Sequence, residues 1–152
     1  MRIGVISDTH GLLRPEAVAV LRGSDLIVHA GDIGSPAILD ELSAMAPLTA
    51  VRGNNDSDAW ARSLPDTAEL AVGGIRLYLL HDVHRLALDP RAAGFDVVIA
   101  GHSHRPLKER RDGVLYFNPG SAGPRRFQLP IALGRLLVSR GVVRADIVRL
   151  AS

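Results

Sequence analysis

A chain of 152 residues with 47% apolar side chains and 4% aromatic ones can form one domain with a sizeable core of Ile, Val, Leu and Ala. It holds no cysteine, which excludes disulfides and thiolate metal ligands, and its apolar runs fall well short of the ~20 residues that span a bilayer. The formal net charge is +2, and every basic residue except Lys108 is a scattered arginine, which argues against a nucleic-acid-binding stripe.

The chain enters a strand pattern at once, with no basic segment and long apolar run before it. No signal peptide is therefore expected, and with the missing cysteines this favours the cytoplasm. Residues 2–7 read as a buried strand that ends at Asp8-Thr9-His10. Residues 15–22 read as a short helix, with Pro15 in its first turn and Gly23 as its stop. Residues 25–29 form the second strand, which leaves through Gly31-Asp32. Ser35 suits an N-cap before Pro36 and a helix to about residue 46. Residues 48–51 form the third strand, followed by Gly53-Asn54-Asn55-Asp56. This β-α-β-α-β order predicts parallel strands with right-handed crossovers.

The second half changes character. Residues 68–72 and 75–80 flank Gly73-Gly74 as a hairpin whose second arm ends at His81. A short helix is expected at 90–93, then a strand at 96–100 that leads into Gly101-His102-Ser103-His104. Asp112-Gly113 turns a hairpin between 107–111 and 114–117, which runs into Asn118-Pro119-Gly120-Ser121. Arg140-Gly141 turns another between 131–139 and 142–150. About ten strands exceed what one sheet holds without curling or splitting. The expected fold is therefore α/β, two packed mixed sheets flanked by helices, in a single domain over residues 1–152.

Open α/β sheets bind their ligands beyond the carboxyl ends of the strands. Asp8, His10, Asp32, Asn54, His81, His102 and His104 all follow such ends. Taken singly they have plainer readings: Asp-x-His as a solvated turn, Gly-Asn as a β-turn. Taken together they point to a polynuclear metal site. Asp8 and His10 face the same way on an extended segment. The Asp32 carboxylate can bridge two cations, and Asn54 offers a neutral carbonyl oxygen to a hard one. His102-x-His104 is the most specific fragment. These donors exceed what one ion uses and divide between two ions that share Asp32. Nitrogen and oxygen donors without thiolate suit Mn, Fe, Zn, Co or Ni.

Around them, His29 lies within a strand and reads as a structural or supporting residue. His84 reads as supporting, substrate-facing or exposed. Asp56 is a candidate brace for Asn54 or its loop. The N–H groups of the Asn118-Pro119-Gly120-Ser121 turn and the Ser121 hydroxyl are phosphate-binding candidates, with an ordinary turn as the alternative. Arg125 and Arg126 suit either phosphate or solvent.

The series Asp-x-His, Gly-Asp, Gly-Asn-x-Asp, His, Gly-His-x-His resembles the calcineurin-like metallophosphoesterase superfamily. Ser-Asp-Thr-His, Gly-Asn-Asn-Asp and Asn-Pro-Gly-Ser look most like its YfcE-type phosphodiesterases, and the resemblance runs over residues 2–121. It implies a four-layer sandwich of two mixed β-sheets with outer helices. It implies two divalent metal ions, Mn foremost, and hydrolysis of a small organic phosphoester by a hydroxide that bridges them. One metal would take Asp8, His10, Asp32 and His104, and the other Asp32, Asn54, His81 and His102. Asp32, Asn54, His102 and His104 would form the catalytic set. Many members have Gly-Asn-His where this chain has Gly-Asn-Asn, and that His assists leaving-group departure. Asn55 is no acid, so diesters with good leaving groups are expected. Asp82 stands where relatives often have Gly and adds charge beside the second metal. A retromer subunit of this fold is an interaction scaffold, so a scaffold with little or no catalysis is the rival reading, set back by the complete donor set. A nuclease ranks lower because the arginines are scattered. Exposed edge strands and the behaviour of relatives suggest a homodimer, with no membrane partner.

Overall fold

The computed structural model describes residues 1–150. In chain order its elements are β1 (Arg2–Ile6), α1 (Pro15–Leu21), β2 (Leu26–His29), α2 (Pro36–Ser43), β3 (Leu48–Ala50), β4 (Thr67–Val72), β5 (Ile75–Leu80), β6 (Val97–Ile99), β7 (Leu107–Arg111), β8 (Val114–Asn118), β9 (Ala132–Ser139) and β10 (Val142–Arg149). They form two five-stranded sheets, in the orders β10-β9-β1-β2-β3 and β4-β5-β6-β8-β7. Both sheets are mixed. β1, β2 and β3 run parallel, with β9 antiparallel to β1. β5, β6 and β8 run parallel, with antiparallel β4 and β7 at the edges.

Alternation along the strands makes the layers. Ile3 and Val5 of β1 face the second sheet and pack with Leu77, Leu79, Ile99 and Phe117. Ile6 faces the other way, with Ile27 and Leu133, against Ala17 and Leu21 of α1 and Ile38 and Leu42 of α2. A Cβ at Gly4 would collide with Leu21, so the glycine lets α1 lie directly on the sheet. At ~25 cal/mol per Å² of apolar surface removed from water, these two buried layers are the main stabilising term.

The expected two mixed sheets with outer helices are found, and two local expectations need correction. α2 begins as foreseen, with the Ser35 hydroxyl accepting from the Ala37 N–H at 3.2 Å. It ends at Ser43 rather than near 46, because Pro47 disfavours helical backbone just before it. Residues 90–93 form one hydrogen-bonded turn and no helix. Asp89 caps it through the Arg91 N–H, and Gly94 at φ 84 stops it at once. The outer helices cover only the first sheet. The outer face of the second is covered by the β5–β6 connection, where Val83, Leu86, Leu88 and Phe95 pack on Tyr78, Leu80, Val98 and Val114. Pro90 and Gly94 keep that crossover from becoming a helix. Short 3-10 turns at Ala59–Ser63 and Val83–Arg85 were not foreseen.

This topology sends the carboxyl ends of β1, β2, β3, β5, β6 and β8 toward one another. The His81 ring from the second sheet reaches the Ala30 carbonyl beyond β2, and Ala122 N–H donates to Ser7 O.

Candidate metal centre

The loops after β1 and β2 run side by side. Asp8 N–H donates to Gly31 O at 3.0 Å, His10 N–H to Asp32 O at 2.9 Å and Gly11 N–H to Ile33 O at 2.8 Å. Asp8, His10, Asp32, His102 and His104 all have positive φ, between 46° and 70°. Such backbone costs a non-glycine residue ~1–3 kcal/mol and persists only where surrounding contacts overdetermine it. Glycines before the donors permit the approach. A Cβ at Gly53 would collide with Asp32, and one at Gly101 with Ser7 and Asp8.

The side chains converge. Asp8 Oδ1 lies 3.4 Å from His104 Nε2, 3.7 Å from His10 Nε2 and 3.9 Å from His81 Nε2. Asp32 Oδ2 lies 3.2 Å from His81 Nε2 and 3.7 Å from His10 Nε2. His10 Nε2 and His104 Nε2 are 3.4 Å apart. At the outer side Asn54 Oδ1 faces His102 Nδ1 at 3.2 Å, and both residues are exposed. Asp8, Asp32, His81 and His104 are buried. Their surroundings set their charge. Burial works against the Asp8 carboxylate, yet His10, His104, His81 and Ser7 hold its pKa well below the usual range. Asp32 is likewise lowered against its burial, by His81 and the Asn55 N–H. His81 is raised, since Asp32 and Asp8 outweigh its burial.

The donor chemistry fits divalent cations. Asp8 Oδ1 and His81 Nε2 are buried within the cluster with no hydrogen-bond partner, which costs ~1–3 kcal/mol per group if nothing else binds there. Two ligand atoms ~2.1 Å from one ion at a tetrahedral angle stand ~3.4 Å apart, which matches the His10–His104 and His104–Asp8 spacings. The tautomer of His81 is also suitable. Its Nδ1–H donates to Ala30 O at 2.7 Å, which leaves the Nε2 lone pair directed at the two carboxylates.

Other residues hold these loops. Asp56 is buried and accepts from Ile33 N–H at 3.0 Å, Gly34 N–H at 3.2 Å and Gly53 N–H at 3.0 Å, so it ties the Asp32 loop to the Asn54 loop. The Asn118 amide donates to Gly101 O and Ser103 Oγ, which supports the His102–His104 turn. The anion-binding expectation for Asn118, Gly120 and Ser121 meets groups already engaged. Gly120 N–H donates to Asn118 Oδ1 at 2.9 Å, and the buried Ser121 hydroxyl donates to Asp8 O at 3.0 Å. Arg125 donates to Leu129 O. His84 is exposed, 3.2 Å from Asp82 Oδ1.

One support, Asn55, was not read from the sequence, and the supporting role read for His29 takes a specific form. Asn55 donates to Asp32 through both its backbone and its amide. Fully buried His29 accepts the Gly31 N–H on Nδ1 at 3.1 Å, so Nε2 carries the proton and donates to Thr9 Oγ1 at 3.0 Å. The Thr9 hydroxyl then donates to Ile33 O at 2.8 Å. Burial pushes the His29 pKa down to about 4, which keeps this relay neutral. A polar residue inside an apolar strand, facing a Thr between two candidate ligands, was the available signal.

A groove of about 620 Å³ opens beside Asn54, His81 and His102. A second cavity, about 370 Å³, lies beyond Asp82 and His102 against Val98, Tyr116 and Phe117.

Fold and donor cluster agree with a metal-dependent phosphoesterase, the class that the comparisons with known proteins support. The family model of the calcineurin-like phosphoesterase superfamily domain matches residues 1–141, and the chain belongs to that superfamily. A probable metallophosphoesterase of Methanothermobacter thermautotrophicus is 38% identical over 133 residues, covering 80% of this chain and 77% of the relative. Phosphodiesterase YfcE of Escherichia coli K12 is 31% identical, covering 90% of this chain and 87% of its own. Among solved structures, an archaeal phosphodiesterase superposes with a TM-score of 0.79 at 26% identity, covering 97% of this chain and 100% of the other. Chaetomium thermophilum Vps29 also gives a TM-score of 0.79, at 20% identity, over 99% of this chain and 97% of its own, a likeness of fold alone. No helix among the described residues is long and apolar enough to cross a membrane.

Proposed function

We propose that this chain is a phosphodiesterase that binds two divalent cations, Mn²⁺ foremost, and hydrolyses a small organic phosphodiester. The observation that carries the reading is the pair of buried carboxylates, Asp8 and Asp32, ringed by His10, His81 and His104 at the edge of an open groove. Relatives named phosphodiesterases support it.

Asp8, His10, Asp32 and His104 would hold one cation, and Asp32, Asn54, His81 and His102 the other. The position of Asp32 Oδ2 between His81 and His10 supports a bridging role. When bound, such cations neutralise phosphoryl oxygens and lower the pKa of water. The residues supply position and charge. His29, Thr9, Asp56, Asn118 and Ser121 fix the ligand loops, so the donors need little reorganisation when substrate arrives. Asn54 and His102 stand at the groove, where the phosphoryl group enters. Asn55 has no acidic proton and its donors are engaged on Asp32. The leaving group must then depart as a stable anion, which favours activated diesters over ordinary monoesters.

Metal-replete protein is expected to hydrolyse bis(p-nitrophenyl) phosphate faster than p-nitrophenyl phosphate. Chelation should stop the reaction, and Asp32→Ala and His81→Ala should abolish it. Two bound metals with turnover of neither substrate would favour the scaffold reading.

A further inference from the structure

The groove beside Asn54, His81 and His102 continues along Arg52, Arg62 and Arg85. Its volume, about 620 Å³, falls within the ~300–1,000 Å³ of sites that enclose a whole small molecule. A phosphoryl group alone would leave most of it empty. The groove therefore suits a substituent on the phosphorus, and the charges along its wall define what that substituent carries.

The acids of the groove are already engaged. Asp56 is buried and accepts backbone N–H groups. Asp66 accepts two guanidinium hydrogen bonds from Arg52, at 2.8 and 3.1 Å. Asp82 Oδ1 accepts the His84 N–H at 3.0 Å. The arginine–carboxylate pairs among the described residues join Arg52 to Asp66, Arg76 to Glu69 and Arg111 to Glu109. Arg62 and Arg85 thus hold no carboxylate, although both line the groove and both are exposed. Each is carried on one of the short 3-10 turns, Ala59–Ser63 and Val83–Arg85. A guanidinium is a planar fork of donors that matches a carboxylate or phosphate.

We infer that the substrate arm lying in this groove carries an oxyanion of its own, a carboxylate or a second phosphate, bound by Arg62 and Arg85. This deepens the phosphodiesterase reading and rests on it.

The test uses metal-loaded protein and two p-nitrophenyl phosphodiesters that share one leaving group. Their second ester is ethyl in one and 2-carboxyethyl in the other. KM is expected to be ~10-fold lower for the carboxyethyl diester, and Arg62→Ala/Arg85→Ala should bring the KM ratio close to one. Calorimetry on the corresponding non-hydrolysable ethyl and carboxyethyl phosphonates separates binding from turnover. Equal KM and equal binding for the two arms in the unmodified protein would overturn the inference, as would a preference that survives in the double variant. Turnover of neither diester, with the binding preference present and arginine-dependent, would sink the phosphodiesterase reading and uphold the anion site.

Discussion

Asn55 holds both oxygens of Asp32. Its backbone N–H donates to Oδ1 at 2.8 Å and its side-chain amide to Oδ2 at 3.1 Å. From sequence, position 55 is notable for lacking the acid found in many superfamily members. In three dimensions it has a positive role, because it fixes the plane of the carboxylate between His10 and His81. Each oxygen keeps a further lone pair free, so the grip is compatible with cation binding.

Replacing Asn55 with Ala should keep the backbone bond and lose the amide bond. Mn²⁺ affinity is expected to fall ~10-fold, as it does when residues that orient metal ligands are removed. Metal-free stability should fall by only ~1 kcal/mol. Calorimetric titration and urea unfolding in chelator measure the two effects. Asn55→His should raise the monoester-to-diester ratio of kcat/KM, since an imidazolium can protonate a poor leaving group.

The backbone at His102, at φ 70, gives a strain prediction. Its side chain is 44% exposed, so truncation leaves little cavity. Glycine adopts positive φ freely and alanine does not. In metal-free protein His102→Gly should therefore be ~1 kcal/mol more stable than His102→Ala, by urea midpoint at constant slope. Equal stability of the two variants would show that the loop relaxes once the imidazole is gone.

The strands and the edge where they end were legible because each is a local pattern: an apolar run, then a glycine and a polar donor. The Gly73-Gly74, Asp112-Gly113 and Arg140-Gly141 hairpins were legible for the same reason. The left-handed backbone at Asp8 and His104 was not, since it depends on loops from both sheets pressing on one another. The grip of Asn55 on Asp32 crosses 23 residues of sequence, and that of Ser121 on Asp8 crosses 113. No window of local sequence holds both ends of such a bond. The turn at 90–93 failed for a different reason: its proline start resembles a helix start, and Gly94 ends it within one turn.

Metal binding should tighten as pH rises. Coordination needs neutral imidazole, and the pKa of His81 lies above its ordinary value of 6.5. Below that raised pKa a cation must displace a proton held between Asp32 and Asp8. Mn²⁺ affinity by calorimetry is expected to be higher at pH 8.5 than at pH 6.5, with proton release at the lower pH detected in buffers of differing ionisation enthalpy. In His81→Asn most of that release should vanish.

His29 predicts a loss of stability in acid. Its imidazole accepts from Gly31 and donates to Thr9, so protonation of Nδ1 would break the first bond inside a fully buried site. The folded pKa, about 4, lies below the ordinary 6.5. The unfolded chain therefore binds the proton first, and stability falls as pH drops from 6.5 toward 4, with no further loss from this group below that. The gap corresponds to ~3 kcal/mol. Asp8 and Asp32 have lowered pKa values, so their contribution is lost only below the ordinary carboxylate value of 3.8. His81 acts in the opposite sense: its stabilisation is present below 6.5 and is lost as pH rises through its raised pKa. Urea unfolding in chelator at pH 6.5 and 4.5 should show a steep decline in the unmodified protein and a shallower one in His29→Gln, whose amide does not titrate. Parallel declines in the two proteins would mean that His29 is not the group responsible.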